Sequence, residues 1–146
     1  MSLDVIPEKF FGRYKLERSE NFDEFLASKG LGWIARKFIG AASITKVIEK
    51  SDEKPNCYNF TNLTTKTTTN YKNFVLGKEF EDKGLDGENH KILFQMTDPN
   101  ILSERHVRLN IPGDKGEFYH YTIEGEYLVL TMANEQVQCK RWMKRI

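Results

Sequence analysis

This sequence of 146 residues is short of several things, and each shortage removes a class of explanation. Cysteine occurs only at Cys57 and Cys139, so at most one disulfide is available. The chain is long enough to hold itself together with a core, and we read two reduced thiols. An excess of either charge is missing: 22 Lys and Arg against 21 Asp and Glu leave a net charge of +1, which offers no field for a nucleic-acid backbone. Long apolar runs are missing too. The longest uncharged one, Phe38 to Ile44 (FIGAASI), falls far below the roughly 20 residues of a membrane span. The opening MSLDVIPEKFFG lacks the basic start, apolar stretch and cleavage site of a signal peptide, which points to the cytosol. The three histidines never take a metal-ligand spacing such as H-x-x-x-H, and no nucleophile elbow, P-loop or dinucleotide fingerprint occurs. No metal, no cofactor and no catalysis are expected.

What is present is a globular composition, 39% hydrophobic and 12% aromatic. Phe10 to Glu17 (FFGRYKLE) alternates and predicts a strand. Ser19 is an N-cap candidate for a short helix in which Phe22, Phe25 and Leu26 fall at helical spacing and Gly30 closes the element. Trp33 to Ala42 then puts Ile34, Phe38 and Ala41 on one stripe with Arg36 and Lys37 opposite, a second short amphipathic helix. The pair forms a helix-turn-helix cap over about residues 19–43. From Thr45 onward only short strands are predicted: 45–50, 57–65, 67–75, 79–83, 90–96, 103–110, 117–124, 127–133 and 136–145. With the first strand that makes ten, joined by turn-rich segments such as SDEKPN, TDPN and IPGDKG. The expected fold class is all-β: one domain, 1–146, built as a ten-stranded up-and-down antiparallel β-barrel, because closure removes exposed edges and leaves an interior.

The last strand says most about that interior. In VQCKRWMKR, Val137, Cys139, Arg141 and Met143 share one face, with Gln138, Lys140, Trp142 and Lys144 on the other. An arginine on an apolar face requires an anionic partner, because a buried guanidinium cannot shed its proton. Two partners are open: an internal Asp or Glu, or the carboxylate of a ligand.

The run from Gly12 to Lys29 (GRYKLERSENFDEFLASK) resembles the first-strand and first-helix signature of the intracellular lipid-binding proteins, the fatty acid-binding protein family. The likeness continues through Gly32 to Lys37 (GWIARK), Asn73 to Phe80 (NFVLGKEF), Tyr127 to Leu130 (YLVL) and Cys139 to Arg141 (CKR), so it covers nearly the whole chain. Longer loops, LERSENFDEFL and NLTTK are similar to the nematode-type branch. Many members of that branch are secreted, so secretion of this chain with removal of a leader is the alternative to the cytosol.

The resemblance implies a monomeric carrier of a long-chain fatty acid in a barrel cavity beneath the helices. In the family an Arg-x-Tyr pair on the last strand and a second arginine two strands earlier hold the carboxylate. Here Arg141 occupies the anchor position, but Met143 stands where the tyrosine is expected and the second arginine's position falls on Tyr121, with Tyr119 beside it. The implied head-group site is Arg141, Tyr121 and Tyr119, and the implied cavity wall includes Met143, Cys139, Leu128 and Leu130. Phe22, Ile34, Phe38 and Phe74 would form the portal, and Arg36 and Lys37 would touch membranes transiently. Retinoid-like ligands or acyl amides are the alternative cargo. The rival from another class is a barrel filled by its own side chains that serves as a protein-interaction module.

Overall fold

Period-two alternation of apolar and polar residues carries most of the chain into strands, and the tight turns between them dictate antiparallel neighbours. The computed structural model describes residues 3–146. Among them the order is β1 (Gly12–Glu20), α1 (Phe22–Ser28), α2 (Trp33–Ala41), β2 (Ile44–Lys50), β3 (Tyr58–Thr64), β4 (Thr68–Phe74), β5 (Phe80–Lys83), β6 (Asn89–Asp98), β7 (Ile101–Arg108), β8 (Glu117–Glu124), β9 (Tyr127–Ala133) and β10 (Gln138–Arg145). The strands form one antiparallel sheet in the order β4-β3-β2-β1-β10-β9-β8-β7-β6-β5, so pairing of β1 with β10 curls the meander into a barrel. The expected ten-stranded up-and-down architecture is present.

Closure by backbone pairing alone is not. β4 and β5 end the hydrogen-bonded order and share no ladder, so two edges persist where none was expected. Side chains seal the seam: the Tyr71 hydroxyl donates to the Lys83 carbonyl at 2.8 Å, and the Tyr71 and Phe74 rings lie 5.8 and 6.2 Å from the Phe80 ring. β5 has only 4 residues, which limits what that exposed edge can template.

One irregularity bears on the interior. The β1–β10 register runs Leu16 with Met143, then Arg18 with Trp142 and Ser19 with Arg141, leaving Glu17 as an extra residue. This bulge sets Ser19 opposite Arg141. Unbroken pairing would have brought two guanidiniums together.

Ser19 is therefore not the helix cap that the sequence suggested; its hydroxyl accepts from Arg141 across the sheet. The N-cap of α1 is Asn21, in a left-handed conformation with φ 60° and no side-chain capping bond. α1 buries Phe25 and Leu26, whereas α2 buries nothing. The tie between the helices is Arg36, whose Nε donates to Asp23 Oδ1 at 2.9 Å and whose Nη1 donates to the Leu31 carbonyl at 2.8 Å. Arg36 thus turns toward α1 rather than outward, because a partner carboxylate stands there. Lys37 does face outward, over the exposed Trp33 ring at 5.4 Å.

Candidate functional site

Alternation places one side chain in two toward the axis, and in a ten-stranded barrel those side chains leave the centre unfilled. The resulting cavity has a volume of about 710 Å³, within the range of small-molecule sites. Phe22 and Phe25 of α1 cover it, and Leu130 and Met132 of β9 form part of its wall. A smaller space of about 230 Å³ lies between α2 and the β3–β4 turn, bordered by Phe38, Lys66 and Thr67, and shares Ile39, Ile44, Leu85 and Arg141 with the main cavity. Lys66 Nζ sits 4.4 Å from the Phe38 ring across this opening.

Arg141 is 8% exposed in the cavity wall. Its Nε donates to Ser19 Oγ at 2.9 Å and its guanidinium lies 3.7 Å from the Phe22 ring centroid. Among the described residues no carboxylate comes within ion-pairing distance of it. Burial lowers its pKa to about 10, against a small opposing effect of Cys139, so it stays a cation at neutral pH.

Arg141, Leu130 and Tyr121 stand in one row across β10, β9 and β8, which is the two-strand offset expected for the second head-group position. Their roles differ from expectation. The Tyr121 hydroxyl donates to Glu104 Oε1 at 2.7 Å, and the Tyr119 hydroxyl donates to Glu117 Oε2 at 3.0 Å. Both phenols line the cavity with their protons already committed to carboxylates. Burial, and then the charge of Glu104, push the Tyr121 pKa well up.

Reasoning from β10 alone missed a second buried cation. Lys46, 5% exposed, lines the cavity between Ile44 and Ile48 on the inward face of β2. Its Nζ donates to Asn62 Oδ1 at 2.7 Å and rests 5.4 and 5.5 Å from the Phe60 and Tyr121 ring centroids. Burial lowers its pKa to about 8; Glu104 opposes the shift and Arg141 adds to it.

Glu104, 2% exposed, is the buried anion. It contacts His106 Nε2 through Oε2 at 2.5 Å, His106 Nδ1 meets His90 Nδ1 at 2.8 Å, and His90 Nε2 reaches Asp86 at 3.0 Å. Burial alone would raise the Glu104 pKa, but the His106 ring, the Lys46 ammonium and the Tyr121 hydroxyl together hold it below the usual carboxylate range. Gly84 makes room for the chain of contacts, since a Cβ there would stand 2.3 Å from the His90 ring. The signal for both missed residues was the alternation that exposed Arg141: Lys46 alternates with Ile44 and Ile48, and Glu104 with Leu102 and His106.

Other expected positions divide. Phe22 and Leu130 line the cavity and Phe38, 61% exposed, borders the smaller opening. Met143, Cys139 and Leu128 are packed into the solid core and do not line it. Met143 and Leu128 lie toward the end of the barrel away from the helices, where Leu16 pairs with Met143 and Tyr14 with Arg145, whereas Cys139 is near the helical end, paired with Met132 and one residue from the Gln138 carbonyl that accepts from Asn21. Ile34 is 58% exposed and lines neither space, because the Arg36 tie turns the opposite side of α2 toward α1. Phe74 is not at the portal: it is the last residue of β4, 4% exposed, with its ring stacked 4.3 Å from Phe94.

No family model matches the chain. It is 54% identical over 140 residues to "Fatty acid-binding protein homolog 3" of Caenorhabditis elegans, covering 96% of this chain and 84% of that one. It is 33% identical over 132 residues to "Cellular retinoic acid-binding protein 2" of Mus musculus, covering 90% of this chain and 94% of that one. Among solved structures, "As-p18, an extracellular fatty acid binding protein" superposes with a TM-score of 0.94 at 44% identity, covering 97% of this chain and 99% of that one. With that identity along almost its whole length, and with the barrel, the helical cap and the open interior, the chain belongs to the fatty acid-binding protein family.

Proposed function

We propose that the barrel carries a long-chain fatty acid, with the carboxylate held by Arg141 and Lys46 and the acyl chain in the cavity. The observation that carries this reading is a cavity-lining guanidinium with no protein carboxylate beside it. The buried Lys, Arg and Glu side chains agree: Arg141 and Lys46 against Glu104 leave one positive charge, which a carboxylate neutralises. Burying about 14 methylenes at about 0.8 kcal/mol each gives roughly 11 kcal/mol, less at least about 4 for association, so dissociation constants fall between micromolar and tens of nanomolar. The open volume supports carriage over a self-filled interaction module. The head-group site is built to hold a ligand, not to transform it, and we read a carrier rather than an enzyme.

Arg141→Gln is expected to weaken palmitate binding by about 1–3 kcal/mol, as for a charge-assisted hydrogen bond, and to leave hexadecanol within about 0.5 kcal/mol. Displacement of a fluorescent fatty acid measures both. Equal losses for acid and alcohol would remove the anchor role, and failure of either ligand to bind would remove carriage. A retinoid carboxylic acid is the second reading, favoured by the likeness to the retinoic acid-binding protein, and the same assay with retinoic acid ranks the two.

The outer side of α2 supports transient membrane contact. Trp33, Ile34 and Phe38 are exposed on α2, with Lys37 over the Trp33 ring and Lys66 over the Phe38 ring, and Phe38 borders the smaller opening. Trp33→Ala with Ile34→Ala is expected to slow fatty acid transfer to anionic vesicles several-fold at unchanged affinity; a transfer rate independent of vesicle concentration in the parent protein argues for release through water instead. We also propose a cytosolic monomer. Light scattering at 17.1 kDa and retention in the soluble cell fraction agree with it; a doubled mass or recovery from the medium contradicts it.

A further inference from the structure

Lys46 is more than a second point charge. We propose that Lys46 is a covalent docking site for long-chain aldehydes, forming a reversible imine with the aldehyde carbon inside the barrel. The inference rests on the carrier reading above, since it needs the cavity to admit an acyl chain.

Three features of the surroundings support it. Lys46 is a buried residue of the cavity wall, so a chain admitted for its apolar surface can bring its head group to the amine. Its protein hydrogen bond is to Asn62 Oδ1, an acceptor, which serves the neutral amine as well as the cation and takes up one N–H. The walls are the Phe60 and Tyr121 rings, whose faces favour a cation, and Glu104 supplies a counter-charge to a protonated imine. Arg141, the other buried cation, opposes a charge on Lys46 while no carboxylate occupies the site. A pKa of about 8 makes the neutral amine at pH 7 roughly a few hundred times more abundant at Lys46 than at a lysine near 10.5.

The step balances without a co-reactant. A proton leaves the ammonium, and the amine lone pair forms the C–N bond to the carbonyl carbon. A proton moves from nitrogen to oxygen in the carbinolamine, and the first proton returns to the hydroxyl. The C–O bond then breaks, water leaves, and the product is a protonated imine. Nothing is oxidised or reduced, and water in the open cavity reverses the reaction. A fatty acid uses the same residue as a cation, so acid and aldehyde compete.

The test incubates the intact protein with hexadecanal at pH 7, traps imines with cyanoborohydride and maps them by mass spectrometry of peptides. A single alkyl adduct on Lys46 is expected, at least tenfold faster than on any exposed lysine and suppressed by excess palmitate. Lys46→Arg is expected to lose that adduct; should the variant fold poorly, mapping in the parent protein decides alone. No adduct, adducts spread evenly over exposed lysines, or labelling indifferent to palmitate overturns the proposal. Palmitate binding is measured on the same sample by fluorescence displacement: binding without an adduct removes this inference only, whereas no palmitate binding removes the carrier reading itself.

Discussion

Phe74→Ala is expected to lower the free energy of unfolding by about 3–5 kcal/mol, the cost of truncating a fully packed core phenylalanine. Its ring stacks on Phe94 at 4.3 Å and neighbours Tyr58 and Phe80 at 6.0 and 6.2 Å. The position magnifies the loss, because Phe74 ends β4 at the seam where no backbone ladder reaches β5. Removing the ring leaves a void and also opens the strip that only side chains close. Ile34→Ala, at an exposed site of the cap, is expected to stay within about 0.5 kcal/mol. Urea denaturation followed by tryptophan fluorescence compares the two. A loss below about 1 kcal/mol for Phe74→Ala would mean that the seam is not held by this aromatic cluster.

The second large effect is expected at Glu104. Glu104→Ala removes the acceptor of the Tyr121 hydroxyl, the partner of His106 and the counter-charge of buried Lys46 in one change. Removing one side of a buried charged network typically costs about 3–5 kcal/mol, because the remaining charge is left uncompensated. Glu104→Gln keeps the shape and an acceptor oxygen, so a smaller loss is expected. The sign of the pH dependence follows from the lowered pKa. Below its folded-state pKa the carboxyl is protonated both folded and unfolded and contributes nothing; above the unfolded value near 4.5 its full stabilisation is present. Stability of the parent protein should therefore fall as pH drops below about 4.5, and Glu104→Gln should lose that part of the slope. An unchanged acid profile in Glu104→Gln would mean that Glu104 carries no buried ion pair.

The barrel was legible because strand alternation and turn chemistry are local, and every connection between consecutive strands except that from β4 to β5 joins an antiparallel pair, the first of them through the helical cap. Arg141 was legible for the same reason: a charge on an apolar face of one strand stands out. Its surroundings were not. Ser19 reads locally as a helix cap, and only the bulge at Glu17 carries it opposite Arg141. Arg36 reads as outward from the helical period of α2, but Asp23 of α1 decides which way it turns. Phe74 reads as the end of a strand and, through the family resemblance of NFVLG, as a portal residue, while its burial depends on Phe94 and Phe80, which come from later strands. Lys46 and Glu104 carried the same local signal as Arg141, yet the influence of one charge on the other across the barrel depends on closure, which no single strand encodes.

Placement of the carboxylate beside the buried cations can be read directly with palmitate labelled with carbon-13 at the carboxyl. Bound to the parent protein, it should give one carboxyl resonance distinct from free palmitate. That resonance should remain in the ionised position several tenths of a pH unit or more below the pH at which an unpaired carboxyl protonates, because each unit of pKa depression corresponds to about 1.4 kcal/mol of interaction with its cations. Arg141→Gln should raise its titration toward the free value. A bound carboxyl that titrates like an exposed one and is unmoved by Arg141→Gln would place the head group in solvent at the cavity mouth and contradict the buried anchor.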